Sequence, residues 1–373
     1  MKVLIVAPFY EESDPLSRPR YINQVLNSEG FETKVLTSNF SHSKGVFRNI
    51  QGAFCLKTIP YKKNVSIERF LSHTVLSFKL AFNVWKNRND FDCFYVTYPL
   101  TLPGLLTSFI ARDKLISDIV DLWPYSLPFN SKLVKVFYPI FFIWDVVNRF
   151  SISRSYKVIS LSSRFLINSG ANSNICKQIL LGSDHNFIKD KKFEKGRINI
   201  VYIGNIGQLY DFDTLCKAIV ASGLNIHFDI IGKGDREDWL KAMLNNLGIS
   251  SSFHGVIYSK DKLSNILSRA HLGFNGFKST TASLSYKSVT YFSYSTPILN
   301  SMTSDLWDYV ECHSLGFNYV QGNVDSLNNC LLLFNKVNYQ SLKSNVESFF
   351  TDNLSDNAVR DSILEVFNYE KTD

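Results

Sequence analysis

The stretch SLSYKSVTYFSYSTP, residues 283–297, holds a single charged side chain, Lys287, among hydroxyl and aromatic residues. The pattern predicts a helix with this lysine near its start. Helix N-termini attract anions and repel cations, so a lysine in a hydroxyl-rich first turn indicates that an anion binds there. A solvated surface lysine would produce the same sequence, and both interpretations stay open until the rest of the chain is considered.

Two pairs of glycines follow consecutive predicted strands in the second half of the chain. They are Gly204 with Gly207, and Gly232 with Gly234 on either side of Lys233. Glycine at such a turn lets the backbone approach a phosphate closely at the start of the following helix. Turns also use glycine for structural reasons alone. Because ligands of parallel α/β sheets bind outside the carboxyl ends of the strands, the glycines and the lysine together predict a phosphate-binding edge.

Motifs for other chemistry are missing from the sequence. The first strand runs into APFYEESDPLSRPR, without the glycines of a dinucleotide-binding turn, so NAD and FAD are not expected. There is no phosphate loop with its lysine, no GxSxG turn and no HExxH helix. The six cysteines form no CxxC pair and have no histidine at metal-ligand spacing. This argues against zinc and disulfides and favours a reducing cytoplasm.

Strands and helices alternate along the chain, and the strand-like runs lack strict polar alternation, which is typical of parallel strands buried on both faces. The first series comprises residues 2–10, 32–38, 92–99, 114–124 and 157–162, and the second comprises 198–204, 226–235, 251–257, 271–277, 297–302 and 316–320. One helix is expected to begin at Arg236 with Asp235 as its cap. The pattern predicts two doubly wound α/β domains, joined near residues 188–197, with helical sequence after residue 336.

Positive charge is concentrated in the first half of the chain. Residues 1–184 contain 22 lysines and arginines and 13 acidic residues, a net charge of +9, whereas the whole chain of 373 residues carries +7. Basic residues such as Lys62, Lys63, Lys132 and Lys135 lie beside aromatic ones. No nucleic-acid-binding motif accompanies them, so an anionic lipid surface is favoured over nucleic acid. An ordinary solvated basic surface is the alternative.

The most apolar segment is VFYPIFFIW, residues 136–144, which is bounded by Lys135 and Asp145 and interrupted by Pro139. It is too short to span a bilayer, which takes about 20 apolar residues. A helix in the protein interior and a helix lying on a membrane surface both fit the segment. We expect the buried helix.

Several segments, taken in order, resemble one enzyme family over essentially the whole chain. They are YVTYPLTLPGLLTSFIA, ISDIVDLWPYSL, KVISLSSRFLINSG and KQILLGSDHNFI in the first domain, then YIGNIGQLYDFDTLCKAI, FDIIGKGD, FHGVI and SYKSVTYFSYSTPIL in the second. This series resembles glycosyltransferase family 4, in its bacterial polysaccharide branch. The resemblance implies the GT-B fold, with two doubly wound Rossmann-like domains facing a cleft. The acceptor domain would be residues 1–184, the nucleotide-sugar donor domain 185–350, and a helical tail, 351–373, would pack back on the first domain.

The resemblance implies that a sugar, such as a hexose, is transferred from a nucleoside-diphosphate-sugar to a saccharide acceptor with retention of configuration. The acceptor is expected to be lipid-linked, as in O-antigen or capsule synthesis. The protein would be cytoplasmic or peripheral on the inner face of the cytoplasmic membrane, without nucleic acid as a partner. The nucleotide-sugar is a substrate, so no cofactor is expected. No metal is implied, because a lysine and a helix dipole can meet the phosphate charge.

By position, the resemblance assigns catalytic roles to Lys287, at the diphosphate, and to Asp121, near the sugar and the acceptor. The implied donor-binding residues are Gly204, Asn205, Gly207, Gly232, Lys233, Gly234, Val256, Ile257, Tyr258, Ser285, Tyr286, Lys287 and Thr290. The implied acceptor-binding residues are Arg18, Arg20, Asp121 and Trp123. As an alternative, Asp121 only caps the turn before Trp123 and Pro124.

The sequence departs from the family pattern at two places. Thr290 stands where many members have a glutamate that holds the ribose, and the run GNIGQLYDF, which has no basic residue, replaces a usual basic pair. A binding protein of this fold without catalytic activity is therefore one alternative. A sugar-nucleotide epimerase is another, although the seven histidines show no grouping that would serve as its catalytic set.

Overall fold

A computed structural model describes residues 1–12, 17–41, 45–62, 66–124, 138–278 and 283–368. The chain forms two compact units: Met1–Leu181 together with the residues from Arg360 onward, and Gly182–Val359. Of the predicted basic surface, Lys62 is exposed, whereas Lys63, Lys132 and Lys135 lie outside the described residues.

The first unit is built on a seven-stranded parallel sheet. Its strands are β1 (Lys2–Val6), β2 (Glu32–Ser38), β5 (Phe54–Leu56), β6 (Cys93–Tyr98), β7 (Leu115–Ile119), β8 (Lys157–Ser160) and β9 (Cys176–Gln178), and a separate antiparallel pair joins β3 (Phe40–Ser41) to β4 (Val46–Phe47). Its helices are α1 (Arg18–Ser28), α2 (Ile67–Lys86), α3 (Thr101–Ile110), α4 (Tyr138–Ser153) and α5 (Ser163–Asn168). The strand order is β5-β2-β1-β6-β7-β8-β9.

The centre of this sheet is covered on both faces, as the apolar runs predict. Strand β6 is buried over its whole length, and Val3–Val6 of β1 are fully buried. After β1 the chain adds β2 and β5 on one side, and it then returns to the other side of β1 with β6 and adds β7, β8 and β9 beyond it. Such a reversal of strand order is where open α/β sheets bind ligands.

The second unit contains a six-stranded parallel sheet. Its strands are β10 (Ile198–Ile203), β11 (Ile226–Ile231), β12 (Ser250–Gly255), β13 (Leu272–Asn275), β14 (Ile298–Asn300) and β15 (Gly316–Asn318). The helices that follow along the chain are α6 (Phe212–Ser222), α7 (Glu237–Asn246), α8 (Lys260–Leu267), α9 (Tyr286–Ser293), α10 (Asp305–His313), α11 (Val324–Phe334), α12 (Tyr339–Asn353) and α13 (Asp356–Phe367). The order β12-β11-β10-β13-β14-β15 reverses between β10 and β13.

The predicted alternation of strands and helices is confirmed, and every strand expected from the sequence is present. Most strands end earlier than expected. Buried apolar residues such as Tyr10 and Leu122 continue the strand-like pattern into the loops at the carboxyl edge, where they pack without joining the ladder. The short strands β3, β4, β5 and β9 were not predicted, because two or three residues carry too little periodicity.

Two local expectations are wrong. Residues 188–197 are not a linker but belong to the second unit, where Lys191 Nζ donates a hydrogen bond of 2.9 Å to the carbonyl oxygen of Leu267 at the end of α8. Asp235 does not cap a helix, because α7 begins one residue later than expected, at Glu237.

The expectation of a buried helix in the most apolar segment is also wrong. Phe142 and Ile143 of α4 are 55% and 63% exposed, whereas the buried residues of this helix are Asn148, Ser151 and Ile152. Among the described helices, none combines the length and the apolar composition that crossing a membrane requires.

The turns after β10, β11 and β12 are held together by their backbones. The N–H of Gly232 donates a 2.7 Å hydrogen bond to the carbonyl oxygen of Gly255. A Cβ atom on Gly232, whose φ is +140°, would lie 1.8 Å from the carbonyl oxygen of Gly204. A Cβ on Gly234 would lie 2.1 Å from the carbonyl oxygen of Ile206. The glycines after β11 are therefore required by the packing of adjacent turns.

We expect Gly232→Ala to destabilise the protein by about 3 kcal/mol or more, because the added methyl group meets backbone atoms and the residue keeps a positive φ. Gly248→Ala is the matched control in the same unit: its φ is +65° and no atom lies within 4 Å of the added Cβ. The control should cost about 1 to 2 kcal/mol. Urea unfolding of both variants tests this, and equal losses would contradict it.

Candidate functional site

Lys287, in the first turn of α9, is surrounded by aromatic rings. Its Nζ lies 3.7 Å from the ring centroid of Tyr210, 4.8 Å from that of Phe277 and 5.3 Å from that of Tyr202. A Cβ atom on Gly204 would lie 2.7 Å from Lys287 Cε. Glycine at position 204 therefore makes room for the lysine side chain at the end of β10.

The Lys287 ammonium has no carboxylate paired with it among the described residues, and α9 has no acidic residue in its first turn. Burial lowers the pKa of Lys287 from 10.5 to about 7. The three ring faces attract the cation, which is worth about 0.5 to 2 kcal/mol per well-placed ring. The interpretation of Lys287 as a solvated surface lysine is therefore wrong. The site holds a partly desolvated cation that lacks a counter-charge.

This site lies where the strand order of the second unit reverses. Tyr202 belongs to β10, and Phe277 follows β13, the neighbouring strand on the other side of the reversal. The loop after β10 pairs with the loop after β13 through a bridge between Tyr210 and Phe277. The N–H of Lys278 also donates to the carbonyl oxygen of Leu209 at 2.8 Å. Both loops thus hold the aromatic rings around the lysine.

Helix α9 is fixed to both strands by one buried tyrosine. The hydroxyl of Tyr291 accepts a 2.9 Å hydrogen bond from the N–H of Ile203 and donates to the carbonyl oxygen of Phe274 at 3.2 Å. Burial raises the pKa of Tyr291, so the hydroxyl stays protonated and remains a donor. The register of α9 against β10 and β13 is thereby set.

The first turn of α9 is capped by Ser285. Its Oγ accepts a hydrogen bond of 3.0 Å from the N–H of Ser288 and donates one of 2.6 Å to Oδ1 of Asn275. The cap is uncharged, so it satisfies a backbone donor without neutralising the positive end of the helix. The helix dipole and the Lys287 ammonium both favour an anion at this place.

Three asparagines end β13, β14 and β15 in register and support this cap. Nδ2 of Asn275 donates to Oδ1 of Asn300 at 2.9 Å, and Nδ2 of Asn300 donates to Oδ1 of Asn318 at 2.8 Å. Nδ2 of Asn318 donates to the carbonyl oxygen of Trp307 at 2.9 Å. Since Asn275 Oδ1 accepts from Ser285, the chain of amides fixes the start of α9.

The other residues predicted for the donor lie at the same edge of the second sheet. Asn205 is exposed, and its carbonyl oxygen accepts a hydrogen bond from the Tyr202 hydroxyl. Gly207 is buried against the side chain of Asn205, since an added Cβ would lie 2.6 Å from Asn205 Nδ2. Lys233 is exposed in the turn after β11.

The segment after β12 is open to solvent. Val256 is 48% exposed and Tyr258 is 93% exposed, with Ile257 half-buried between them. On α9, Tyr286 is 46% exposed, and its carbonyl oxygen accepts a 2.9 Å hydrogen bond from Thr290 Oγ1. Thr290 therefore bonds within its own helix and lies one turn after Lys287.

The residues predicted for the acceptor lie in the first unit and differ in accessibility. Arg18 is only 3% exposed, and its Nε donates to Asp118 Oδ2 at 2.7 Å while its Nη1 donates to the carbonyl oxygen of Ile179 at 2.7 Å. The prediction that Arg18 binds the acceptor does not fit this buried ion pair, which links α1 to β7. Arg20 is half-buried near Tyr10, whose pKa is raised by burial and lowered in part by the arginine.

Asp121 and Trp123 follow β7 at the carboxyl edge of the first sheet. Asp121 Oδ2 accepts a hydrogen bond of 2.7 Å from Trp123 Nε1. The Trp123 ring stacks on His73 at 5.5 Å and meets Trp144 edge-on at 6.3 Å. Asp121 therefore orients the Trp123 side chain, and both its role at the acceptor and the alternative role as a cap of this turn stay predictions.

Sequence reasoning missed the aromatic rings around Lys287 and the amide chain beneath α9. The signals were present. Tyr202 precedes the run in which a basic pair was expected and Tyr210 lies within it, and three neighbouring strands end in the same residue type in LGFN, ILN and GFN. Without the strand order, however, nothing in the sequence brings these endings into register.

Solved structures with a similar backbone cover almost the whole chain. No family model and no curated protein sequence matches it. HepE of Anabaena in complex with UDP is 13% identical and covers 98% of this chain and 99% of its own, with a TM-score of 0.65. The lipopolysaccharide outer core galactosyltransferase WaaB is 13% identical with the same coverage and a TM-score of 0.66. WaaG, a glycosyltransferase involved in lipopolysaccharide biosynthesis, is 11% identical, covers 98% and 100%, and has a TM-score of 0.59.

The chain has the GT-B glycosyltransferase fold. The resemblance that the motifs predicted is thus confirmed at the level of the fold, with two parallel sheets and C-terminal helices. At 11 to 13% identity, the similarity is in the backbone. The site residues of this chain are therefore interpreted from their own geometry.

The lowered pKa of Lys287 gives a measurable effect on stability. Between pH 7 and pH 10.5 the unfolded chain binds a proton at Lys287 that the folded chain does not. The unfavourable contribution of Lys287 to the free energy of unfolding is therefore full below pH 7 and is lost as the pH rises towards 10.5. We expect Lys287→Met to be more stable than the unchanged protein at pH 6, and this gain to shrink by pH 9. Urea unfolding at both values tests it. A gain that is independent of pH would contradict the assignment.

Proposed function

We propose that the protein is a glycosyltransferase that binds the diphosphate of a nucleoside-diphosphate-sugar at Lys287 and the start of α9. The observation that carries the proposal is the ammonium at the strand reversal, which contacts three rings and has no carboxylate partner in the part of the chain that the structure describes. A diphosphate supplies the counter-charge and can accept from the helix N-terminus as well. The UDP in the HepE complex, a protein of the same fold, supports this choice of ligand.

In the proposed reaction the bond between the sugar and the diphosphate breaks, negative charge develops on the diphosphate oxygen, and the acceptor hydroxyl oxygen forms the new bond to the sugar while its proton passes to the departing diphosphate. Lys287 and the dipole of α9 stabilise the leaving group as its charge grows. The open segment Val256–Tyr258 is proposed to hold the base, and the backbone of Gly204 and Asn205 to lie along the phosphates. We propose retention of configuration, which NMR of the product anomer tests.

We propose that the first unit binds the acceptor, with Asp121, Arg20 and Trp123 near it. The acceptor is a saccharide carried on a lipid, as in the synthesis of bacterial surface polysaccharides, and the protein works peripherally on the inner face of the cytoplasmic membrane. The net charge of +9 in residues 1–184 and the exposed aromatic residues of the first unit support an anionic membrane as partner.

Nucleotide binding should stabilise the protein. At about 100 times its dissociation constant, the correct nucleoside diphosphate adds about 2.7 kcal/mol to the free energy of unfolding. A thermal-shift screen with UDP, GDP, TDP and CMP identifies the base. If none of the four raises the melting temperature, the donor-site proposal is wrong.

Binding should also take up a proton. At pH 8 most of the Lys287 side chains are neutral, because the pKa is about 7 in the free protein, and a bound diphosphate raises that pKa. We expect uptake approaching one proton at pH 8 and little at pH 6. Calorimetry in buffers of different ionisation enthalpy measures it. The uptake should disappear in Lys287→Met and persist in Lys217→Met, an exposed lysine on α6.

Loss of the ammonium should slow transfer although it does not weaken folding. Removing one charged donor from a leaving-group site costs about a hundredfold in turnover. We expect this loss for Lys287→Met, whereas Lys217→Met keeps full turnover. Donor hydrolysis and transfer assays on variants that unfold cooperatively, and no less stably than the unchanged protein, check the result. Equal turnover in both variants would show that Lys287 does not contribute to transfer.

A further inference from the structure

Helices α2, α3 and α4 lie side by side in the first unit, with α3 in contact with both of the others. Large apolar side chains project from this layer into solvent. They include Phe78, Phe82 and Trp85 of α2, Phe109 of α3, and Phe142 and Ile143 of α4, which are 46% to 63% exposed. We call the outward side of these three helices the three-helix face.

The exposed residues follow helical spacing and therefore form continuous stripes. On α2, positions 78, 82 and 85 are separated by four and three residues, and on α4 the exposed Phe142, Val146 and Phe150 are each separated by four. The Phe109 and Phe150 rings are 5.8 Å apart, which joins α3 to α4 across the surface. Monomeric soluble proteins rarely expose apolar stripes of this kind without a use for them.

Where α3 packs against α4, the inner contacts are small and polar, whereas α2 buries Leu76, Leu80 and Val84. A Cβ on Gly104 of α3 would lie 2.2 Å from the Tyr98 hydroxyl oxygen, which is 2.7 Å from Ser151 Oγ of α4. Thr101 Oγ1 donates to Asn148 Oδ1 at 2.6 Å. This arrangement places small and hydrogen-bonding residues inside and aromatic residues outside, which is the reverse of the arrangement on an amphipathic helix that faces water. Helices in apolar surroundings pack in this way.

The charges around the three-helix face are mainly positive. Residues 66–92, 101–114 and 138–157 contain nine lysines and arginines and five acidic residues. The Arg88 guanidinium lies 5.0 Å from the Trp85 ring centroid, and that of Arg154 lies 5.3 Å from Phe109 and 5.4 Å from Phe150. These cations lie directly over rings of the apolar surface, as expected where phosphate headgroups meet acyl chains.

We propose that the three-helix face docks on an anionic lipid bilayer, with its aromatic side chains among the upper acyl carbons and Arg88 and Arg154 at the phosphates. This names the surface for the membrane partner proposed above and rests on that proposal. Positive charge over the apolar stripes is what favours lipid headgroups, since it opposes pairing with a second copy of the same positively charged surface.

The first test is sedimentation of the full-length protein with vesicles of phosphatidylglycerol and phosphatidylethanolamine. The double variants Phe142→Ser with Ile143→Ser, and Phe78→Ser with Phe82→Ser, remove exposed side chains and keep the core. Each should lower the vesicle partition coefficient about tenfold or more. The control is Val220→Ser with Leu333→Ser, two residues of the second unit that are 50% and 53% exposed, and its binding should stay within about twofold of the unchanged protein.

The second test locates one ring in the bilayer. Vesicles with brominated acyl chains should quench tryptophan fluorescence, and the quenched fraction should be smaller in Trp85→Phe than in the unchanged protein. With a neutral soluble bromide as the quencher instead, Trp85→Phe should not show this decrease. Replacing phosphatidylglycerol by phosphatidylcholine should weaken binding, and so should high salt, since charges are screened within about 8 Å at physiological ionic strength.

The proposal is wrong if the full-length protein stays in the supernatant with anionic vesicles at low salt, or if the face variants and the control bind alike. A dimer in solution that the Phe142 and Ile143 changes dissociate, without vesicle binding, would assign the face to a second copy. Nucleotide binding is measured separately by thermal shift. Vesicle binding without any nucleotide effect would therefore refute the glycosyltransferase proposal and leave the lipid surface standing.

Discussion

The desolvated cation of Lys287 is the constraint on which the second unit depends. A lysine removed from water without a carboxylate costs free energy, and the lowered pKa is a measure of that cost. The fold keeps it there by several independent means: Gly204 leaves room for the side chain, and Tyr291 fixes α9 against two strands. A site that holds an unfavourable charge in place, and whose cap is neutral, is arranged for a ligand that brings the opposite charge.

Much of the fold could be predicted because buried parallel strands leave a strong apolar pattern, and Lys287 could be singled out because charge is rare in its segment. The prediction failed where long-range packing decides. Arg18 looked like an accessible cation, but it pairs with Asp118, a hundred residues later in the chain. The assignment of Gly232 to phosphate binding stays a prediction, but the sequence did not show that a Cβ at this position would also collide with the backbone of Gly204.

The apolar segment of α4 is a second place where the sequence alone does not show which residues are buried. Composition predicts only that Phe142 and Ile143 avoid water, and in a globular chain the interior is the usual place for them. Here the interior positions of that helix are taken by Asn148 and Ser151, which hydrogen-bond to neighbouring elements. Periodicity could have shown that the polar residues share one face of α4. Which face of α4 the protein covers depends on where α3 packs, and the sequence pattern of α4 does not show this.

The departures from the family pattern have a common electrostatic meaning. Thr290 stands one turn after Lys287, where the motif resemblance places a carboxylate, and the loop GNIGQLYDF at the end of β10 has no basic residue, where the resemblance places a basic pair. A carboxylate close to a lone lysine would neutralise it and raise its pKa, while two further cations would lower it more. With both groups absent, the positive charge at the start of α9 depends on one proton with a pKa of about 7 and on the dipole of α9. The affinity of this edge for an anion should therefore change with pH in the physiological range, where a site with several permanent charges would not respond.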